Sequence, residues 1–222
     1  MDNSDFVKAL EKLRKEAPKR KFVQSVDLII NLVGLDLKKP ENQIELFIQL
    51  KSEHKKTKIC GIVGPELAEQ ARANFDLTIT PEDFPKYADK RLVKKLAKSF
   101  DWFVAQATIM PEVAKVFGRV LGPRGKMPNP KAGCVVPSNA NLRLIAERLR
   151  KTIKVSAKTQ PSIKVSIGNE AMSDDALAEN AMSVYKAVLE RLPEESESIK
   201  NVLIKFTMSK PTVVGATEGE ND

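Results

Sequence analysis

The densest concentration of reactive and hydrogen-bonding side chains is GRVLGPRGKMPNPKAG, residues 118–133, with four glycines, three prolines and five basic or amide groups. A phosphate loop needs Gly-x-x-x-x-Gly-Lys followed by Ser or Thr, so that amides cradle phosphates and the hydroxyl reaches magnesium. Here Met127 follows Gly125-Lys126, and Val120 stands where the first glycine belongs. The dinucleotide fingerprint fails too, since no Gly-x-Gly occurs. The segment instead offers a stiff cationic surface, because prolines fix φ and glycines permit close approach. Arg119, Arg124, Lys126 and Lys131 suit a phosphate backbone without reading its sequence; the other reading is a brace between domains.

Metal and nucleophile chemistry finds little material. His54 is the sole histidine, set among lysines in SEHKKTK, where it reads as a solvated linker residue. Cys60 and Cys134 lie far apart without Cys-x-x-Cys spacing and are expected to be reduced, buried and inert. No metal site, cofactor or enzymatic activity is expected.

A third constellation lies on two strand-like runs. In FVQSVDLIINL, period-two alternation puts Gln24, Val26 and Leu28 on one face and Ser25 and Asp27 on the other. Near the other chain end Lys205 and Thr207 share a face, with Met208-Ser209 closing the run. Hydroxyls, a carboxylate and a thioether match ribose 2′-OH groups and base or sugar surfaces, which favours structured RNA over duplex DNA. The plainer alternative is an ordinary polar sheet face. Further cations stud two helical stretches, Lys86, Lys90, Arg91, Lys94, Lys95 and Lys98 in one, Arg143, Arg148, Arg150, Lys151 and Lys154 in another, and Lys19, Arg20 and Lys21 precede the first strand. Such runs are commonly solvated faces.

The elements carrying these residues follow from periodicity. Phe6, Leu10, Leu13 and Ala17 mark an amphipathic helix stopped by Pro18. Strands are predicted at FVQSVDLIINL and IELFIQL, and the charged stretch 51–58 is the first candidate boundary. Short apolar strands then alternate with helices, the pattern of a parallel sheet covered on both faces. After residue 156 the first style returns: SIKVSIGN, a helix opened by Ser173, and NVLIKFTM. The expectation is α/β with two domains. A split α+β, ferredoxin-like sandwich of four strands comprises residues 1–56 and 157–222, and an inserted Rossmann-like three-layer α/β domain spans 57–156. An acidic tail, 218–222, is expected to be disordered.

The chain has 222 residues, 42% hydrophobic and 30% charged, which places it among folded proteins. A net charge of +8 makes polyanions the leading partner class. No run of eighteen apolar residues occurs, so a cytoplasmic, non-membrane protein is expected.

These motifs resemble the large-subunit ribosomal protein L-one family in its archaeal or eukaryote-like form. The resemblance rests on GRVLGPRGKMPNPKAG, supported by KFVQSVDLIINL, KKPENQ, FVAQATIMP, IGNE and KFTM over nearly the whole chain. It implies binding of large-subunit ribosomal RNA at the mobile stalk beside the tRNA exit site, assistance to departing deacylated tRNA, and repression of the chain's own mRNA. By the same resemblance the RNA-binding residues are Phe22, Ser25, Asp27, Thr207, Met208 and Ser209, with Lys21 and Lys205 adding charge. Gly122, Arg124, Gly125 and Lys126 form a secondary RNA or interdomain loop. Ser25 stands for the family's threonine, Asp27 for its glutamate, and Ser209 for a glycine that lets RNA approach the backbone. The expected partners are ribosomal RNA, exit-site tRNA, its own mRNA and the ribosome, with a monomer when free. The competing class is a nucleotide-dependent enzyme built on the middle domain.

Overall fold

A computed structural model describes residues 1–35, 37, 39, 42–192 and 198–215. The turn expected at 38–43 lies partly, and the acidic tail wholly, outside the described residues. In chain order the elements are α1 (Asn3–Glu16), β1 (Ser25–Leu32), β2 (Ile44–Gln49), β3 (Ile59–Ile62), α2 (Pro65–Asn74), β4 (Leu77–Ile79), α3 (Lys90–Ser99), β5 (Trp102–Gln106), α4 (Met110–Leu121), β6 (Val135–Val136), α5 (Leu142–Lys151), β7 (Thr152–Ala157), β8 (Ser162–Asn169), α6 (Asp174–Leu189), β9 (Ile199–Phe206) and β10 (Thr212–Val213). They divide into two compact units, Met1–Lys55 with Lys151–Asp222, and Lys56–Arg150.

In the first unit β1 is an inner strand of the antiparallel sheet β10-β9-β1-β8. Alternation buries Val26, Leu28 and Ile30 of β1 beside Val202, Ile204 and Phe206 of β9. These pack in one core with Phe6, Leu10 and Leu13 of α1 and Leu177, Ala181 and Val184 of α6. Because side chains alternate across a strand, the other face presents Asp27, Ile29 and Asn31. Ser173 caps α6 by accepting from the Ala176 amide at 3.3 Å, with Asp174 and Asp175 in the first turn.

Two strand assignments and one boundary need correction. IELFIQL, counted among the four strands of the sandwich, instead pairs with β7 in a separate two-stranded sheet, from Ile44 opposite Ala157 to Gln49 opposite Thr152. The fourth strand of the main sheet is β10, two residues that pair with Ile204 and Leu203. Since β7 belongs with β2, the inserted unit ends at Arg150 rather than at residue 156.

The inserted unit has a wholly parallel sheet, β4-β3-β5-β6. All four residues of β3 are buried, as a sheet covered on both faces requires. Its core joins Ile62 and Phe103 to Phe84, Val93, Leu96, Val113 and Phe117. The stretch KYADKRLVKKLAKSF, expected as one helix, is split at Asp89. A 3₁₀ segment, Pro81–Ala88, precedes it, and the Asp89 carboxylate then caps α3, accepting from the Arg91 amide at 2.8 Å. Burial pushes the Cys60 thiol up to about 12 and the Cys134 thiol up to about 11, so neither is a nucleophile at neutral pH. His54 is 6% exposed rather than solvated.

Candidate nucleic-acid interface

The expected RNA-binding residues come together where β1 begins and β9 ends. Asp27 lies opposite Lys205 in the ladder, and the Thr207 amide donates to the Ser25 carbonyl at 3.1 Å. The Thr207 hydroxyl accepts from the Ser25 amide at 3.2 Å and lies 3.4 Å from the Ser25 carbonyl oxygen, to which it donates. It is therefore tied to β1, with one acceptor site left over. Asp27 is different: among the described residues its carboxylate receives no hydrogen bond. Burial raises its pKa and the Lys205 charge opposes that rise. A half-buried acceptor with unfilled lone pairs is suited to ribose hydroxyls or base amino groups.

Phe22 and Met208 are each 53% exposed and Val23 is 62% exposed, an apolar edge around these polar groups. Lys21 is exposed and Lys205 partly so. Ser209, which the resemblance sets in place of a glycine, turns its hydroxyl inward. It accepts from the Phe206 amide at 2.9 Å and donates to the Lys210 carbonyl at 2.9 Å, closing the turn instead of projecting from it.

Sequence reasoning missed Gln24. It is fully buried, and its Oε1 accepts from the Met208 amide at 3.1 Å, across 184 positions of chain. Its backbone is fixed as well, since the Glu170 amide donates to its carbonyl at 2.8 Å and its own amide donates to a Glu170 carboxylate oxygen at 3.3 Å. Arg14 of α1 anchors that neighbour, donating to the carbonyls of Glu170 (2.9 Å) and Met172 (2.7 Å) and pairing with Asp174 at 2.7 Å. The signal available was a glutamine at an apolar position of a strand, which needs a buried partner. The β1–β8 ladder also slips between Val26 and Asp27, a bulge beside the site of the kind that re-aims side chains.

The loop of the inserted unit has a different character. Gly122 follows α4, and Gly125 adopts φ +63°, a turn conformation that disfavours other residues. Lys126 points inward and donates to the carbonyls of Ala97 (2.8 Å) and Phe100 (2.6 Å) at the end of α3. Its ammonium thus satisfies open helix carbonyls rather than facing solvent. Arg124 is exposed and spends one N–H on the Lys94 carbonyl at 3.3 Å.

The parallel sheet changes direction between β3 and β5, the place where such folds hold nucleotides. There the Gly64 amide, at the start of α2, donates to Gln106 Oε1 at 2.7 Å, and Gln106 Nε2 donates to Ser138 at 3.0 Å. Gln106 is 3% exposed, so a protein side chain fills the position a phosphate would take. Among the described residues no group of three or more His, Cys, Asp or Glu is placed to hold a metal ion.

A model of the ribosomal protein L1p/L10e family matches residues 13–210. The chain belongs to that family. It is similar to the large ribosomal subunit protein uL1 of Nanoarchaeum equitans, 44% identical over 202 residues, covering 89% of this chain and 93% of that one. The uL1 protein of Methanothermococcus thermolithotrophicus is 40% identical over 217 residues, 96% and 99% of the two chains. That of Archaeoglobus fulgidus is 36% identical over 211 residues, 94% and 96%. This L1-family chain is therefore a ribosomal protein, a structural component rather than an enzyme, located with the ribosome in the cytoplasm. No helix among the described residues is long and apolar enough to cross a membrane.

Proposed function

We propose that the chain binds large-subunit ribosomal RNA at the mobile stalk near the tRNA exit site, through the surface of Lys21, Phe22, Ser25, Asp27, Lys205, Thr207, Met208 and Ser209. Bound there, it assists departure of deacylated tRNA, and it represses its own mRNA by binding a similar RNA fold. When free it is a monomer, and it needs no cofactor. The observation supporting this reading is the Asp27 carboxylate, without a hydrogen bond among the described residues, opposite Lys205 and flanked by exposed Phe22 and Met208. A carboxylate gains nothing from phosphate, so its place among cations fits ribose or base edges. The expectation for the loop changes in one respect: Arg124 is available to RNA, whereas Lys126 acts on α3.

The test is binding to a stalk-region ribosomal RNA fragment beside an unrelated RNA duplex of equal length. Preference for the fragment by about a hundredfold or more, reduced by Asp27→Asn, supports the reading. Equal affinity for the two RNAs overturns it. For repression, the leader of the chain's own mRNA should compete with the fragment for one site; for tRNA, ribosomes lacking the chain should release deacylated tRNA more slowly.

A further inference from the structure

The charge of the molecule is unevenly divided. The inserted unit holds 17 Lys and Arg against 9 Asp and Glu, whereas the unit built from both chain ends holds 20 of each. The whole surplus of eight thus belongs to the unit that does not carry the proposed stalk-binding surface. A cleft of about 570 Å³, of ligand size, opens there between the segment Pro81–Ala88, the start of α3 and one side of α4.

Its floor is apolar, with Phe84, Val93 and Val120 all buried. Tyr87 lines it too, half-buried, its ring 5.6 Å from that of Phe117, which in turn meets Phe84 edge-on at 5.6 Å. The rim is charged. Glu112, Lys115 and Arg119 recur at i, i+3 and i+7 along α4 and all line the cleft, as does Lys90. Among the described residues none of these four makes a hydrogen bond or ion pair. Lys115 and Arg119 stand at i, i+4, where like charges repel. A bound anion would relieve that repulsion.

We propose that this cleft takes one unstacked nucleotide of single-stranded RNA. The base lies on the apolar floor beside Tyr87, in the manner of base-on-aromatic contacts. Lys115 and Arg119 take the flanking phosphate, and Glu112 accepts a hydrogen bond from an exocyclic amino group. That last contact favours cytosine or adenine over uracil, whose exocyclic groups only accept. The carboxylate also sets RNA apart from an acidic peptide, which it would repel. This site does not depend on the sheet face.

The test uses the full chain, with amide chemical shifts followed against cytidine and uridine hexaribonucleotides, inorganic phosphate and a glutamate-rich peptide. Expected are saturable shifts at Phe84, Tyr87, Val93 and Lys115 with the cytidine oligomer and several-fold weaker ones with the uridine oligomer. Lys115→Gln or Arg119→Gln should each lower affinity about tenfold without lowering the melting temperature. Glu112→Gln should erase the preference for cytidine, and Asp27→Asn should leave all of this unchanged. The proposal is overturned if phosphate or the peptide matches the cytidine oligomer at these residues, or if shifts spread evenly over the lysines of α3 and the arginines of α5.

Discussion

Asp27, in the RNA surface proposed above, carries a cost in folding. Burial raises its native pKa, so the ionised form is harder to accommodate in the native state than in the unfolded chain. The sign follows: the penalty is full above the raised native value, shrinks as pH falls from there towards the unfolded value of 3.8, and is gone below it, where the group is protonated in both states. Asp27→Asn should therefore stabilise the protein at neutral pH and should converge with the parent chain on acidification. Denaturant midpoints from about pH 3 to about pH 7 measure this. The same variant should bind the stalk RNA less tightly. Gln24 makes the complementary case. Its Oε1 holds the Met208 amide while its Nε2 is buried with no hydrogen-bond partner. Gln24→Leu loses one bond and also removes an unsatisfied donor, so stability should change by less than about 1 kcal/mol. Stalk-RNA affinity should still fall roughly tenfold and the Met208 amide should lose exchange protection, because the turn is no longer held. Alternation along β1 made Ser25 and Asp27 legible as the outward pair, and resemblance supplied the role proposed for them. Gln24's role was not legible, since its partner lies across the sheet and 184 positions away in sequence.

At the scale of elements, periodicity located nearly every strand and helix but not which strands pair. IELFIQL reads identically whether it joins a four-stranded sheet or a hairpin-like pair, and nothing in its own residues names β7 as the neighbour. The pairing has a charged signature that becomes visible only in three dimensions. Glu45 receives Lys154 at 2.7 Å and Lys158 at 2.6 Å, and these contacts lower its pKa from 4.5 to about 2. For a lowered carboxylate, the stabilising contribution is present above the unfolded value and is lost as pH falls from about 4.5 towards about 2. Protection of the Leu46 and Val155 amides, relative to their intrinsic exchange rates, should fall over that window, and Glu45→Gln should remove the dependence. Strand β10 escaped sequence reading because two residues carry no period. Lys126 escaped it because a lysine in a glycine- and proline-rich loop looks solvated, whereas its ammonium closes the end of α3. Lys126→Met should destabilise the inserted unit by about 1–3 kcal/mol through the loss of charge-assisted bonds to Ala97 and Phe100. Thermal unfolding followed at Trp102, with stalk-RNA affinity unchanged, is the check.

For the whole molecule, a change of strand style marked the insertion, and contacts moved its end to Arg150 because β7 returns to β2. What the net charge concealed is its distribution, neutral on one unit and +8 on the other. The two proposed RNA contacts should therefore differ in their salt response. Each phosphate neutralised on single-stranded RNA contributes about 0.7 to the slope of log affinity against log salt. On the proposed reading, binding at the Asp27–Thr207 surface rests largely on ribose, base and apolar contacts, so its slope should be shallow for a protein of this charge. Binding of single-stranded RNA by the basic unit should be steep. The double variant Lys115→Gln, Arg119→Gln, which gives up the one flanking phosphate, should lower the single-strand slope by about 0.7 while leaving the stalk-RNA slope where it was. Were both slopes to fall together, the two contacts would be one continuous electrostatic surface, and the neutral unit would owe its RNA affinity to the charge of the other.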